Sequence, residues 1–462
     1  MAPGGAEARP SRRALLGWVL FDPACQPFFT LVTTFVFAPY AAAVLAPDPV
    51  RGQALWGYAT AAAGLALALL SPVLGSVADA AGARKPWIAG ACLVTAGASA
   101  ALWFAAPGVP YALPLALGAF AVGTVAAEVA AVFNNAMMGR LAPHGALGRL
   151  SGWGWAAGYA GGLASLLLVL GFLAASPETG RTYLGLEPLF GLDPAQREGD
   201  RIVGPLSAVW LLALVWPLFL FTPDQPGSGL SARETLKAGI GRLADTLRQA
   251  RSQPALWRFL LANMVYQDGL VALFAFGGIY GAGTFGWGPT ELGLFGILLT
   301  AAGAAGAIAG GTVEDRIGTR PVILGSLGIL AVVCVAILSI GREHVLFVLS
   351  VPPPGEGDGL FASWPERAFI GLGIVIGAVA GPLQASSRSH LARIVPEGEA
   401  AAYFGLLSLS GKVTSFLAPL AVAVATGLAG TQAAGPAVLV AFFGAGAALF
   451  AAATFRRRAK RA

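Results

Sequence analysis

Twelve times along the chain a run of about 20 or more mostly apolar residues recurs: 14–46, 52–76, 87–106, 110–138, 148–174, 203–222, 255–282, 289–312, 320–341, 367–390, 402–427 and 433–455. Nothing else in the sequence restricts the fold so tightly. Each run is long enough to cross a hydrocarbon layer about 30 Å thick, and lipid offers no hydrogen bonds to an exposed backbone, so each is expected as a helix. No ten-residue alternation of apolar and polar side chains suggests barrel strands. With 56 % hydrophobic and only 11 % charged residues among 462, the chain has too little polar surface for a soluble fold of this size. The expected class is an all-α membrane protein with twelve transmembrane helices.

Positive charge sets the orientation. With the N-terminus inside, 22 of the 29 Lys and Arg residues lie in or beside the inner connections, and six lie on the other side. Both termini are therefore expected in the cytoplasm, and the protein in the cytoplasmic (inner) membrane. Topology and anionic lipid account for the net charge of +6 and the tail RRRAKR, with no nucleic acid required. The opening SRRALL has no A-x-A site after a short apolar core, which argues against an export signal. Cys25, Cys92 and Cys334 fall in separate spans without disulfide or zinc spacing, so they read as packing residues and no metal site is expected.

The sequence divides into a tail (1–13), a first six-helix bundle (14–222), a linker (223–254), a second bundle (255–455) and a basic tail (456–462). The linker opens with TPDQPGSG and continues LSARETLKAGIGRLADTLRQARS. Ser231 and Glu234 have capping-box spacing, and Leu236, Ile240, Leu243 and Leu247 form one stripe, which predicts a short amphipathic helix along the inner membrane face. The halves repeat. GSVADAAGARKP matches GTVEDRIGTRP, pairing Gly75 with Gly311, Asp79 with Asp315, Gly82 with Gly318 and Arg84 with Arg320. Arg140, Pro143, Gly145, Gly152 and Gly158 pair with Arg393, Pro396, Gly398, Gly405 and Gly411, and Phe21-Asp22 pairs with Gln267-Asp268. Two pseudo-symmetric six-helix bundles with a site between them are a transporter architecture. In the repeated loop the glycines allow a tight turn and the aspartates can engage a helix end or a basic side chain. Arg84, Lys85, Arg316 and Arg320 are expected at the cytoplasmic surface.

This G-x-x-x-D-x-x-G-x-R loop resembles the signature loop of the major facilitator superfamily, where it acts as a cytoplasmic latch. Over nearly the whole chain, WVLFDPACQPFF, VFNNAMMGRLAPHGALGRLSGWGWAAGYAGG, YQDGLVALFAFGGIYGAGTFGW and LQASSRSHLARIVPEGEAAAYFGLLSLSGKVTSFLAPL are similar to the matching stretches of the "unknown major facilitator" family. That family includes the fungal vacuolar amino-acid effluxer linked to autophagy. The resemblance implies an integral-membrane solute carrier without a prosthetic group, with spans one, four, seven and ten lining a central cavity. In span one the family's usual Trp, Asn and Ser behind the aspartate are replaced by Pro23, Cys25 and Gln26.

An ionisable residue deep in a span costs about 2.5–3.5 kcal/mol on the lenient insertion scale and needs a partner or water. Asp22, Glu128, Asp268, Arg388 and Lys412 are placed so, the first four on the spans that the resemblance assigns to the cavity. Gln26, Asn134, Asn135, Gln267 and Gln384 add amides. Glu128 and Asn135 share one helix face, as do Gln384 and Arg388. The expected cavity is acidic and amide-rich on one side and basic on the other, which suits a zwitterion or another small polar solute. Glu128 and Asp22 are the candidates for proton coupling, and Arg388 for a solute carboxylate. Plainer roles stand beside these: Asp22 as a solvated mouth residue, Arg388 reaching lipid phosphate, Lys412 neutralising an acid, and the amides tying helices together. Gly154, Gly158 and Gly162, with Gly306 and Gly310, read as close helix packing.

Together these features predict a secondary transporter for a small polar or zwitterionic, amino-acid-like solute, with protons as co-substrate, working as a monomer. The alternative is a non-transporting receptor on the same scaffold. An enzyme is not expected: GLLSLSGKVTS misses the phosphate-loop spacing, and His144, His344 and His390 do not cluster. The segment 342–366, with VPPPGEGDG, is expected as a flexible loop.

Overall fold

The computed structural model describes residues 11–455 apart from 177–178, 286, 288, 343, 346–348, 352–359, 397, 413, 415–416 and 430–433. Among the described residues, ten helices are long and apolar enough to cross a membrane. They are spans one (Arg12–Leu45), two (Leu55–Ala81), three (Lys85–Phe104), four (Ala112–Leu141), five (His144–Leu173), six (Glu198–Phe221), eight (Glu291–Ile317), nine (Thr319–Leu338), ten (Trp364–Ile394) and twelve (Ala434–Ala452). The expected spans seven and eleven coincide with the helix Pro254–Tyr280 and with the shorter helices Ala400–Lys412 and Leu417–Ala429. The expected flexible insert differs from its reading in part: His344–Val345 pairs antiparallel with Leu349–Ser350, and its residues 352–359 lie outside the described ones.

The chain forms two compact units. The first takes in everything up to Leu150 with Ala157–Ile240 and Val395–Gly405; the second takes in Ser151–Ala156, Gly241–Ile394 and the chain from Leu406 onward.

In the first unit, span one is not a single regular helix. It runs as α-helix over Arg12–Val19 and Phe21–Pro27, then as π-turns over Phe28–Phe35 and Ala41–Leu45. Pro27 has no N–H, so the carbonyl of Pro23 four residues earlier receives no helical hydrogen bond. The indole Nε1 of Trp210, on span six, donates to that carbonyl at 3.0 Å. Span five fits against the same stretch through glycine. A Cβ at Gly161 would stand 2.7 Å from Cβ of Pro23, and one at Gly162 would stand 2.6 Å from Oγ1 of Thr30. The irregular segment is thus held from two sides, and its apolar side chains Phe28, Leu31, Val32 and Phe37 enter the core of the unit.

In the second unit, spans eight and ten pack backbone to backbone. A Cβ at Gly310 would lie 2.5 Å from Cβ of Pro382, and one at Gly306 would collide with the carbonyl of Ala378, the carbonyl that Pro382 leaves without its helical donor. The expected close-packing role of Gly306 and Gly310 holds. Span seven is tied in by polar bonds: Asn263 Nδ2 donates to Ser410 Oγ at 3.0 Å, and Tyr266 and Ser387 share a hydroxyl bond of 2.7 Å.

The linker helix runs Ala232–Ser252. Its capping box forms: the Ser231 N–H and hydroxyl both donate to Glu234 Oε2, at 2.9 and 2.6 Å. The face turned to protein carries Thr235, Gly239, Thr246 and Ala250, which are buried, while Ile240 and Leu247 of the apolar stripe are exposed and the side chains of Leu236 and Leu243 lie outside the described residues. A Cβ at Gly239 would stand 2.5 Å from Val77, so a residue without a side chain sets the approach to span two.

Candidate functional site

The first copy of the repeated loop closes span two. Gly82 adopts φ +83, donates to the Ala78 carbonyl, and leaves room for the carbonyl of Pro226, which a Cβ would meet at 2.5 Å. Asp79 accepts from Arg84 Nη2 at 2.9 Å and from the backbone N–H groups of Ala401 and Ala402 at 3.1 and 2.8 Å. It thereby satisfies two of the open donors at the start of the helix Ala400–Lys412, where the helix dipole favours negative charge. Gly75 packs on the carbonyl of Ala401. Arg84 departs from its expected surface position: it is 2 % exposed, because Asp79 neutralises it. Asp224 accepts from the N–H groups of Arg84 and Lys85 at 3.0 and 2.8 Å and so caps span three, a role no spacing in the linker announces.

The second copy is built differently. Gly318 has φ +87 and closes onto the Glu314 carbonyl. Asp315 meets Arg393 Nη2 at 3.3 Å, but the nearer partner of that guanidinium is Glu314 at 2.8 Å. Glu314 is fully buried and also accepts from the hydroxyls of Ser386 and Ser389, so one carboxylate joins spans eight and ten. Glu314 escaped the reading of deep charges because the apolar run of span eight ends at 312 in sequence, whereas the helix continues to Ile317. Gly311 is buried, Arg316 is exposed and Arg320 is partly buried.

Among the predicted cavity residues, the first unit brings Asp22, Gln26 and Glu128 into one neighbourhood. The Cys25 thiol lies within electrostatic range of both carboxylates, and Gly158 of span five leaves space beside Asp22 and Gln26, whose Cβ and Oε1 a Cβ there would meet at 3.5 and 3.8 Å. Asn135 is partly buried on the same face of span four as Glu128. Asn134 is separated from it. One residue turns a helix by about 100°, and the Asn134 amide is fully buried with no hydrogen-bond partner among the described residues, while its carbonyl accepts from Trp18 Nε1 at 2.7 Å.

In the second unit, Gln267 and Gln384 are partly buried, and Asp268 is 1 % exposed. The hydroxyl of Thr414 is the polar group acting on Asp268, yet neither that hydroxyl nor Oδ1 completes a hydrogen bond among the described residues. Arg388 is committed elsewhere. Its Nε and Nη2 donate to the hydroxyl and carbonyl of Ser151 at 2.8 and 2.6 Å, and its guanidinium lies 5.8 Å from the Trp155 ring centroid. A solute carboxylate would have to displace those bonds. The side chain of Lys412 lies outside the described residues.

A family profile described as "Vacuole effluxer Atg22 like" matches residues 146–462, well over half of the chain. The chain belongs to this family. An uncharacterised transporter of the major facilitator type from Bacillus subtilis, YxiO, is 25 % identical over 94 % of the chain and 93 % of its own length. Autophagy-related protein 22 of Cryptococcus neoformans is 26 % identical over 61 % of the chain, which spans only 46 % of that fungal protein. The Escherichia coli fucose:proton symporter FucP superposes with a TM-score of 0.67 at 13 % identity, covering 96 % of this chain and 98 % of that one. The fold is therefore that of the major facilitators. This Atg22-like chain is an integral membrane protein of the transporter class.

Proposed function

We propose that the protein is a proton-coupled secondary transporter that moves a small polar or zwitterionic, amino-acid-like solute across the cytoplasmic membrane by alternating access, with both termini in the cytoplasm and one chain as the working unit. The observation that carries this reading is Asp268, a carboxyl group almost wholly buried in a span with one oxygen unpaired among the described residues. A group so placed is tolerated as the neutral acid or in contact with water, and a carrier that passes between those two conditions moves a proton. In the first unit, Asp22 and Glu128 supply acceptors for an ammonium group, and Gln26 and Asn135 supply amides for a polar solute. Arg388 serves in this reading to position the start of span five.

The test begins with thermal unfolding of the purified protein against amino acids, short peptides and sugars across pH, since a ligand that binds only the folded state raises its stability by mass action. The ligand found is then offered to proteoliposomes. Accumulation that requires an imposed pH gradient is the expected result. Binding without flux under any gradient would replace this reading by the receptor, and accumulation that survives collapse of the pH gradient would remove the proton.

A further inference from the structure

The connection between spans five and six, residues 174–197, is longer than a turn requires, and its described residues are held by several hydrogen bonds. Ala175 bridges to Thr182, the Thr182 N–H donates to Leu186, and Arg181 Nη1 donates to the Gly185 carbonyl at 2.7 Å. At its far end Leu192 is buried in the core of the first unit, and Arg197 pairs with Asp200 at 2.6 Å. Between these anchors the side chains turn outward. Phe190 is 89 % exposed, Tyr183 70 % and Leu184 61 %, with Leu186 and Leu189 also exposed. Phe190 further holds φ +63, a left-handed conformation that a bulky residue rarely adopts. A loop facing only water gains nothing by fixing a phenylalanine in such a backbone to keep it outside.

The place of this ridge in the fold says what meets it. Tyr183 N–H donates to the carbonyl of Leu170 at 3.0 Å, and a Cβ at Gly171 would touch Leu184 at 3.2 Å, so the loop lies back along the last turns of span five. There Leu167, Leu168 and Phe172 are exposed on a helix long and apolar enough to cross a membrane, an apolar surface suited to lipid. The ridge continues that surface past the end of the span, to the level where aromatic rings partition into the headgroup region.

We propose that residues 183–190 are an interfacial anchor, seated in the headgroup and upper acyl layer of the bilayer on the side where span five ends. The anchor fixes the depth and tilt of span five, whose glycine face holds Asp22 and Pro23.

The native cysteines are all buried, so single cysteines placed at 190, 184 and, as a water-facing reference, at the exposed Ala195 can carry nitroxide labels in the full-length protein. The labelled proteins go into phosphatidylcholine nanodiscs, and collision with oxygen, which concentrates in lipid, is compared with collision with a water-soluble nickel chelate. The expected result is an oxygen-to-nickel ratio severalfold higher at 190 and 184 than at 195. Equal ratios at the three positions overturn the anchor. Shielding of 190 and 184 from both reagents also overturns it, in favour of a protein partner on the ridge. Any variant that disturbs folding is recognised by the 195 reference losing its water exposure or by loss of a monodisperse peak, and the remaining labelled position then decides.

Discussion

At the scale of single residues, the least regular stretch of the chain is stabilised by an indole nitrogen. Pro27 deprives the Pro23 carbonyl of its helical donor, and Trp210 supplies another, so Trp210→Phe leaves a buried carbonyl unpaired while keeping most of the aromatic volume. A buried acceptor left unsatisfied costs about 1–3 kcal/mol. Thermal unfolding is expected to show a clearly lowered midpoint for Trp210→Phe and an unchanged one for Trp216→Phe, whose ring is exposed. Equal midpoints for the two would mean that the carbonyl finds another donor. The prolines and Asp22 are legible in the sequence as an anomaly within an apolar run. Their partner is not, because Trp210 is 187 residues away and no local pattern records a contact over that separation. Asn134 and Asn135 show the same limit on a finer scale: adjacent amides look alike in sequence, and helix rotation sends one into the core and leaves the other on the face of Glu128.

At the scale of an element, the linker helix shows which part of a local pattern transfers to a membrane protein. The S-x-x-E cap forms as its spacing predicts, since it needs only neighbours in sequence. The packed face is not the one that carries Ile240 and Leu247. In water the apolar side of a helix turns to the protein. Beside a bilayer it has a second apolar phase available, and small residues such as Gly239 and Ala250 pack against protein instead. The cap also gives a pH dependence with a definite sign. Hydrogen bonds from the Ser231 hydroxyl, and next from its backbone N–H, favour the charged form of Glu234 and lower its pKa below the ordinary 4.5. A depressed carboxyl pKa stabilises the folded form fully above the unfolded value and loses that contribution as pH falls through the folded one. Amide-exchange protection in the first turn of this helix is therefore expected to fall as pH drops below about 4.5, and Glu234→Gln to abolish that dependence. A wild-type profile as flat as that of the variant would remove the cap from the account.

At the scale of the whole molecule, the repeat makes the architecture legible, because twelve apolar runs and two copies of one loop leave few alternatives. What it hides is the difference between the copies. Glu314, Ser386 and Ser389 hold a buried charge network with Arg393, whereas the repeat-equivalent positions in the first half are Ala78, Phe133 and Ala136 beside Arg140. Two of the buried carboxyl groups described in the second unit have opposite surroundings. Glu314 receives two hydroxyls and a guanidinium; Asp268 has an oxygen that nothing among the described residues satisfies. The first arrangement holds spans together; the second is the one that the proposed proton coupling uses. Glu314→Gln takes away the nearer, fully buried carboxylate of Arg393 and leaves it only Asp315 at 3.3 Å, so a lower unfolding midpoint is expected. Asp268→Asn replaces a carboxyl group by its neutral isostere, with the midpoint unchanged or raised. In proteoliposomes with the ligand found by thermal shift, Asp268→Asn is expected to lose accumulation driven by a pH gradient and to keep exchange of internal for external solute. If Asp268→Asn instead lowers the midpoint and accumulates normally, its carboxylate is a structural acceptor, and the proton must be sought at Glu128, where Glu128→Gln supplies the same pair of measurements.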